Sequence, residues 1–515
     1  MRLENIIKDS GVTEVLGDPG IEIRNICNDS RKVGPGDLFV AVRGHDTDGH
    51  AFIGKAIEAG AAAIVCEEDS SVASLLQNDS RVLLQNDNCH PERCPEPVEG
   101  QSEGSVTFIK VASSRHAVAI MAANFYDNPS RKLNLVGITG TNGKTTTVTL
   151  LYELFMAQGY NCGLLSTIAN YVGTRGSEAV NTTSDPITIN SLLNEMVDEG
   201  CEYCFMEVSS IGVEQERIAG LDFKVAIFSN LTHDHLDYHG TFAEYLRCKK
   251  LFFDNLGPGA IAVINIDDKH GDVMVQNTRA KVQTYSCKGM ADHTCRIIEE
   301  SFEGMLLRID GREAWTRLIG RHNAYNILAI YSAAMALGAD PEETLVAVSK
   351  LEPAKGRLEV MRGPKGLSVV IDYAHTPDAM DNVLRTLREI DRGRELICVF
   401  GCGGDRDRTK RPEMAKVAEE YSDRIFVTSD NSRTERTEDI MDEIKAGFSP
   451  KGLAKTISIA DRKEAIRTAI MLAPEGAVIL LAGKGHETYQ ILGKEKHHFD
   501  EREIVSEVFG SINNN

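Results

Sequence analysis

The residues best placed by type and spacing to do chemistry lie in GITGTNGKTTT, Gly137 to Thr147. The apolar run LNLVGITG leads into them, and TVTLLYELFMAQG, with apolar residues at helical spacing, follows. A glycine loop between a strand and a helix is a phosphate cradle. Gly140 and Gly143 let backbone N–H groups converge on a polyphosphate, Lys144 brings positive charge to the helix N-terminus, and Thr145 offers a hydroxyl to Mg²⁺. Thr141, Asn142 and Thr146 complete the loop. The GxxxxGK[ST] spacing is not met, because position 138 is Ile. A nucleoside triphosphate site follows; the loop alone does not separate a kinase, a GTPase, a motor and a ligase.

Two other clusters invite a metal reading. Cys201 and Cys204 have ligand-like spacing, but no second CxxC or nearby His pair completes a four-ligand zinc site, so core or helix-surface thiols are expected. His233, Asp234, His235, Asp237 and His239 crowd one stretch, yet a hydrolytic zinc site needs three ligands of compatible geometry and a general base. Zinc is therefore the weaker reading of both.

The elements that must position these residues fall into three segments. At about 150 residues per domain, 515 residues suggest three domains, each large enough to bury a core. Residues 1–111 form a small α/β unit with LFVAV and AIVCE as strands, interrupted at 86–105 by a Pro-, Glu-, Ser- and Gly-rich stretch that is a surface insertion. In 112–350, CFMEVSS (204–210), KVAIFSNLT (224–232) and AIAVINID (260–267) alternate with helical stretches, as in a mostly parallel sheet. In 351–515 the strands LSVVIDYA, ELICVFG, RIFVTSD and AVILLAG, each ending in a polar or glycine-rich loop, suggest a second doubly wound sheet with ligands at its strand ends. The fold class expected is thus α/β: a small N-terminal domain, a central P-loop ATPase-like parallel-sheet domain and a C-terminal Rossmann-like domain.

The net charge of -20 argues against a sequence-independent nucleic-acid binder. No apolar run approaches the ~18 to 20 residues of a membrane helix, and MRLENIIKDSG lacks the apolar core of a signal peptide. The twelve cysteines are too scattered for a disulfide framework. A cytoplasmic monomer with reduced thiols, needing neither nucleic acid nor membrane, is expected.

The motifs GTNGKTT, EVSS, NLTHDHLDYHG, GRHNAYN, VIDYAHTPDAM, GCGGDRDRTKRPEM and AGKGHE, in this order, resemble those of the Mur ligases, and among them the MurE type. The resemblance runs from DSR near residue 30 to FDERE at 499–503. It implies an ATP-dependent amide ligase of peptidoglycan precursor synthesis, with domains for the UDP-sugar, for ATP and for the incoming amino acid. The γ-phosphate goes to the D-Glu γ-carboxylate of UDP-MurNAc-L-Ala-D-Glu, and an amine displaces phosphate from the acyl phosphate. Phosphorylation gives a poor electrophile a leaving group, while Mg²⁺ neutralises charge on the transferring oxygens.

The same resemblance assigns residues. Glu207 and His235 become Mg²⁺ ligands beside Thr145, with Lys144 on the phosphates. Lys249 matches the lysine carried as N6-carboxylysine, a carbamate formed with CO₂ that holds the second Mg²⁺; adjacent Lys250 is the other possible register. Asn323 and Asn326 fall on the adenine side, where helix capping is the plainer role, and Asp372 and His375 near the nucleotide. For the UDP-MurNAc-dipeptide it points to Ser30, His45, Asp46, Thr47, Asn181, Thr182, Thr183, Ser209, Gln215 and Arg217, with Arg217 suited to a substrate carboxylate. Turn formation competes at Ser30 and at 45–47. Ile211 stands where the family commonly has His.

The amino acid is read by DNSR and AGKGHE. Asp430, Asn431, Ser432 and Arg433 replace the usual DNPR of enzymes adding meso-diaminopimelate, a change that loosens one backbone angle while keeping Asn431 and Arg433. The Arg433 guanidinium suits the far carboxylate that lysine lacks; Arg406, Gly483 and Glu487 complete the site, with Glu487 suited to the second ammonium. Meso-diaminopimelate is the expected substrate, L-lysine the alternative. A folylpolyglutamate-type or D-Ala-D-Ala-adding ligase, a non-catalytic sensor of wall precursors and a P-loop kinase or GTPase are the competing classes.

Overall fold

A computed structural model describes residues 1–44, 47–67, 106–232 and 236–513. The insertion expected at 86–105 lies outside the described residues. By the density of its internal packing the chain divides into two compact units: Met1–Thr141 with Tyr160–Ala262 and Asp272–Val282, and Asn142–Gly159 with Val263–Gly271 and Gln283–Asn515.

Along the chain the N-terminal strands are Val12–Leu16 (β1), Ile26–Cys27 (β2), Leu38–Val40 (β3), Ala63–Glu67 (β4) and Thr107–Val111 (β5), followed by helix Ser114–Phe125 (α1). Next come Asn134–Thr139 (β6), Lys144–Ala157 (α2), Cys162–Leu165 (β7), Ala169–Val172 (β8), Arg175–Glu178 (β9), Pro186–Asp198 (α3), Tyr203–Glu207 (β10), Ser210–Glu214 (α4), Phe223–Phe228 (β11), Phe242–Asp254 (α5) and Ile261–Asn265 (β12). Lys281–Ser286 (β13), His293–Ser301 (β14), Gly304–Ile309 (β15), Arg312–Thr316 (β16) and Arg321–Ala336 (α6) lead to the last segment. That segment comprises Glu359–Arg362 (β17), Ser368–Asp372 (β18), Pro377–Ile390 (α7), Leu396–Phe400 (β19), Lys410–Tyr421 (α8), Arg424–Val427 (β20), Thr456–Ser458 (β21), Arg462–Leu472 (α9), Val478–Ala482 (β22), Tyr489–Leu492 (β23), Glu495–His498 (β24) and Glu501–Asn513 (α10).

In the first unit the N-terminal strands order β1-β5-β4-β3-β2, with only β1 antiparallel. Beyond them β6 runs parallel between β10 and β11, and β7 parallel to β10, while β8 and β9 fold back antiparallel. Local chemistry sets the helix starts. Asp185 accepts from the N–H groups of Ile187 and Thr188 ahead of Pro186, and Thr241 accepts from Glu244 N at 3.2 Å, the first half of a capping box that starts α5.

The second unit carries the six-stranded sheet β17-β18-β22-β19-β20-β21, parallel except for β17. Strands β18, β19 and β22 are buried along their whole length, as parallel strands covered on both faces must be. Side chains of α7 and α8 pack on one face and those of α9 and α10 on the other. The doubly wound reading of this segment holds. Two elements differ from the sequence expectation. Residues 293–316 are an antiparallel meander, β14-β15-β16, turned at Asp310-Gly311 with both residues at positive φ, where alternating parallel units were expected. The hairpin β23-β24 was not expected at all.

Arg462 and Glu501 form a fully buried ion pair, Nη2 to Oε1 at 2.8 Å, and Arg462 also donates to the carbonyls of Ala482 and Ser429. It ties the first turns of α9 and α10 to the ends of two segments that carry DNSR and AGKGHE. Removing one partner leaves a buried charge uncompensated. Glu501→Ala is expected to destabilise the protein by about 3 kcal/mol, read as a fall in the urea midpoint; an unchanged midpoint would contradict that role for the pair.

Candidate active site

In the first unit the chemistry gathers at the end of β10. The parallel register sets Glu207 opposite Ile138, so the strand ends level with the start of the phosphate loop. Glu207 is fully buried; its Oε1 accepts from Thr167 N at 2.8 Å, and its Oε2 has no partner among the described residues. Thr183 Oγ1 donates to Glu207 O at 3.0 Å and accepts from Ser209 N at 3.0 Å, and Ser209 caps α4 through Gly212 N. Thr167 Oγ1 donates to Thr182 Oγ1 at 3.1 Å.

Arg217 closes this cluster. Its Nη1 donates to Thr183 O at 2.6 Å, and its Nε and Nη2 grip Gln215 Oε1 at 3.1 and 2.7 Å. Gln215 passes the network to Tyr238, and Tyr238 to Glu214. Burial lowers the Arg217 pKa. Among the described residues three of its five N–H donors are engaged. So Thr182, Thr183, Ser209, Gln215 and Arg217 come together around Glu207, while Asn181 is exposed. Ser30 lies in a turn and Thr47 is exposed, and no hydrogen bond among the described residues joins either to the cluster. His45, Asp46 and the stretch His233, Asp234 and His235 lie outside the described residues.

The phosphate loop is fixed at its start. Thr141 N donates to Asn230 O at 2.9 Å, and Thr141 Oγ1 accepts from Thr232 N at 2.9 Å. A side chain on Gly140 would collide with Ser229 Oγ. Lys249, on the buried face of α5, donates from Nζ to Gly140 O at 2.8 Å and sits 4.7 Å from the Tyr245 ring centroid. Lys250 instead pairs with Asp254 one turn on, at 2.6 Å. Of the two lysines, Lys249 is the one joined to the loop.

In the second unit α2 begins at Lys144, with Thr145 and Thr146 buried in its first turn, and packs against α6. Gly143 has φ +87, and a Cβ there would lie 2.5 Å from Asn326 Oδ1. Only glycine lets the loop pass that amide. Asn326 is held by Asn323 Oδ1 at 2.9 Å, and Asn323 donates to Ile319 O at 2.8 Å, so both asparagines serve the start of α6. Asp372, its pKa raised by burial, accepts from Leu358 N and Ala374 N and holds its own loop; His375 is exposed.

The donor set suits Mg²⁺. A hard divalent cation takes oxygen ligands, and the unsatisfied Glu207 Oε2 is a buried oxygen of that kind. No group of three His, Cys, Asp or Glu among the described residues forms a ready metal cluster. Burial pushes the Cys201 and Cys204 thiols up, as for core cysteines.

The DNSR loop sits at the end of β20. Arg433 adopts φ +50, a strained conformation for an arginine, and β23 holds it there: Arg433 N donates to Ile491 O at 3.3 Å and its carbonyl accepts from Gly493 N at 2.9 Å. Its Nη1 donates to Gly404 O at 2.9 Å and Asn431 O at 3.4 Å, while Nε and Nη2 make no hydrogen bond among the described residues. That leaves one edge of the guanidinium for a carboxylate. Ser432 is buried, and its carbonyl accepts from Glu435 N at 3.1 Å, so the loop is restrained despite lacking proline. Asn431 Nδ2 donates to Glu487 Oε2 at 3.0 Å. A Cβ on Gly483 would lie 3.2 Å from Asp430 Oδ2. Arg406 is exposed and donates to Asp405 O. Burial would raise the Asp430 carboxyl, but Lys484 and Arg462 outweigh it and hold it below the usual range. Lys484, inside AGKGHE, is a buried cation that no local sequence signal marks as such.

Comparison with known proteins identifies the family. Residues 22–126 match the profile described as Mur ligase family, catalytic domain; 138–335 match the Mur ligase middle domain, and 356–485 the Mur ligase, glutamate ligase domain. The chain belongs to the Mur ligase family, with that family's three-domain α/β architecture. Within the family it is an ATP-dependent ligase of the MurE type, as its motifs had suggested. A UDP-N-acetylmuramoyl-L-alanyl-D-glutamate--2,6-diaminopimelate ligase of Phocaeicola vulgatus is 49% identical over 512 residues, covering 99% of this chain and 100% of the relative. Ligase 1 of that name from Clostridium acetobutylicum is 40% identical, covering 98% and 99%. A solved structure bearing the same enzyme name is 31% identical with TM-score 0.65, covering 96% of each chain. The fold is shared with the MurF ligase of Thermotoga maritima in complex with ADP, 20% identical, TM-score 0.61, covering 95% and 97%.

Gly143→Ala places a methyl group against Asn326 and is expected to weaken binding of a non-hydrolysable ATP analogue at least tenfold, about 1.4 kcal/mol, with the far-UV circular dichroism unchanged. Calorimetric titration checks this; undiminished affinity would contradict the close approach.

Proposed function

We propose that this chain joins meso-diaminopimelate to the γ-carboxylate of D-Glu in UDP-MurNAc-L-Ala-D-Glu, using ATP and forming an acyl phosphate, to give the UDP-MurNAc-tripeptide of peptidoglycan synthesis. The observation that carries the chemistry is Glu207, a buried carboxylate with one oxygen unsatisfied, surrounded by hydroxyl, amide and guanidinium donors. For the amino acid, the open edge of Arg433 and the Glu487 carboxylate match a far carboxylate and a second ammonium. The full-length relatives that carry the diaminopimelate name support the same choice.

In this reading residues 1–111 bind the UDP-sugar, 112–350 ATP, and 351–515 the amino acid, in a cytoplasmic monomer. The loop from Gly140 to Thr146 receives the polyphosphate on its N–H groups, and Lys144 adds charge at the N-terminus of α2. Asn323 and Asn326 set the adenine side. Mg²⁺, when bound by Glu207, Thr145, His235 and a carbamylated Lys249, neutralises charge on the phosphoryl oxygens. Carbamylation joins neutral Lys249 to CO₂ with loss of one proton, and the remaining N–H can keep its bond to Gly140 O. Thr182, Thr183, Ser209, Gln215 and Arg217 orient the dipeptide so that its carboxylate meets the γ-phosphate. After transfer, the free amine of the amino acid attacks the acyl carbon, and collapse of the adduct expels phosphate.

Phosphate release and product mass test this with ATP, Mg²⁺ and UDP-MurNAc-L-Ala-D-Glu, comparing meso-diaminopimelate, L-lysine and no amino acid. Turnover and a tripeptide mass with diaminopimelate alone are expected. Preference for lysine would overturn the substrate, and absence of ligation with either would overturn the reaction.

A further inference from the structure

The side chain of Lys484, in AGKGHE, is fully buried. Its Nζ lies 3.3 Å from Asp430 Oδ1 and 3.3 Å from Glu487 Oε2, and donates to Asn431 Oδ1 at 3.0 Å and to Tyr489 O at 2.8 Å. A buried ammonium with four oxygen neighbours is held far more tightly than a surface one.

Its contacts fix more than its own position. Asn431 Oδ1 accepts from both Lys484 Nζ and Ile491 N, the latter at 2.9 Å. With the carbonyl end of the amide so committed, the NH₂ end must face Glu487, and Nδ2 donates to Glu487 Oε2 at 3.0 Å. Glu487 Oε2 therefore has Lys484 and Asn431 as partners, while Glu487 Oε1 makes no hydrogen bond among the described residues. Through Tyr489 O the same ammonium is tied to β23, the strand that holds the strained backbone of Arg433.

The charges point the same way. Lys484 stands against two carboxylates, Asp430 and Glu487, and Arg462, paired with Glu501, also acts on Asp430. Of the two carboxylates, Glu487 is the one whose Oε1 is open among the described residues. A ligand ammonium can meet that oxygen, and without Lys484 two carboxylates would compete for it.

We propose that Lys484 is a positioning residue of the amino-acid site: it sets which end of the Asn431 amide and which oxygen of Glu487 meet the ligand, and so governs affinity for an amino acid with a second ammonium. It acts through those two residues and touches no reacting atom. The inference rests on the reading that Asn431 and Glu487 bind the amino acid.

The test is steady-state kinetics of the full-length enzyme carrying Lys484→Gln or Lys484→Arg, varying each substrate in turn. For Lys484→Gln the KM for meso-diaminopimelate is expected to rise about tenfold or more, with the KM values for ATP and the UDP-dipeptide within about twofold and kcat within about threefold. Lys484→Arg keeps the charge and is expected to show a smaller rise, still confined to the amino acid. If Lys484→Gln does not fold, the arginine variant decides alone. An unchanged KM for the amino acid, or an equal rise for all three substrates, overturns the proposal. Wild type is run with meso-diaminopimelate and with L-lysine. Should it use only lysine, the substrate reading fails, and the same selective rise measured with lysine still decides the role of Lys484.

Discussion

A carboxylate sealed at the end of a parallel strand, with one oxygen satisfied and one not, is the constraint on which the first unit turns. Leaving a buried acceptor unmatched costs about 1 to 3 kcal/mol, more when it is charged. Glu207 is nevertheless held in place by Thr167 N, and its own carbonyl is held by Thr183. Thr183 in turn receives Ser209 N and is braced by Arg217, so the loops after β10 and before α3 are fastened to the residue with the unmatched oxygen.

The second unit solves a different problem with the same means. The loop after β20 holds a guanidinium and an amide in fixed relation to the Glu487 carboxylate, although Arg433 sits at a strained backbone position and proline is absent. Main-chain bonds to β23, the buried Lys484 and the Arg462–Glu501 pair supply the rigidity. A short hairpin thus holds the backbone of Arg433 and the amide of Asn431.

Much of this was legible in the sequence, and the omissions have physical causes. The loop Gly140 to Thr146 and the strands of the second sheet were readable because continuous apolar runs ending in glycine and polar residues mark buried parallel strands. The meander at 293–316 is not legible although Asp310-Gly311 is a hairpin signal, because Ile297-Ile298 and Glu299-Glu300 break the period-2 alternation where the register of β14 on β15 shifts. Lys484, Arg462 and Glu501 look like surface charges in sequence; their burial involves distant partners, Asn431 for Lys484 at 53 residues and Glu501 for Arg462 at 39, which no local pattern shows. Ser432 was expected to loosen its loop, but the restraint comes from tertiary hydrogen bonds.

The most direct measurement of the central claim is urea unfolding of wild type and Glu207→Gln, each with and without Mg²⁺ and a non-hydrolysable ATP analogue. If the unmatched oxygen of Glu207 exists to hold the metal, the variant is at least as stable as wild type without ligand and loses the stabilisation that Mg²⁺-nucleotide gives. A variant that is less stable without ligand yet gains as much from Mg²⁺-nucleotide as wild type would contradict the account.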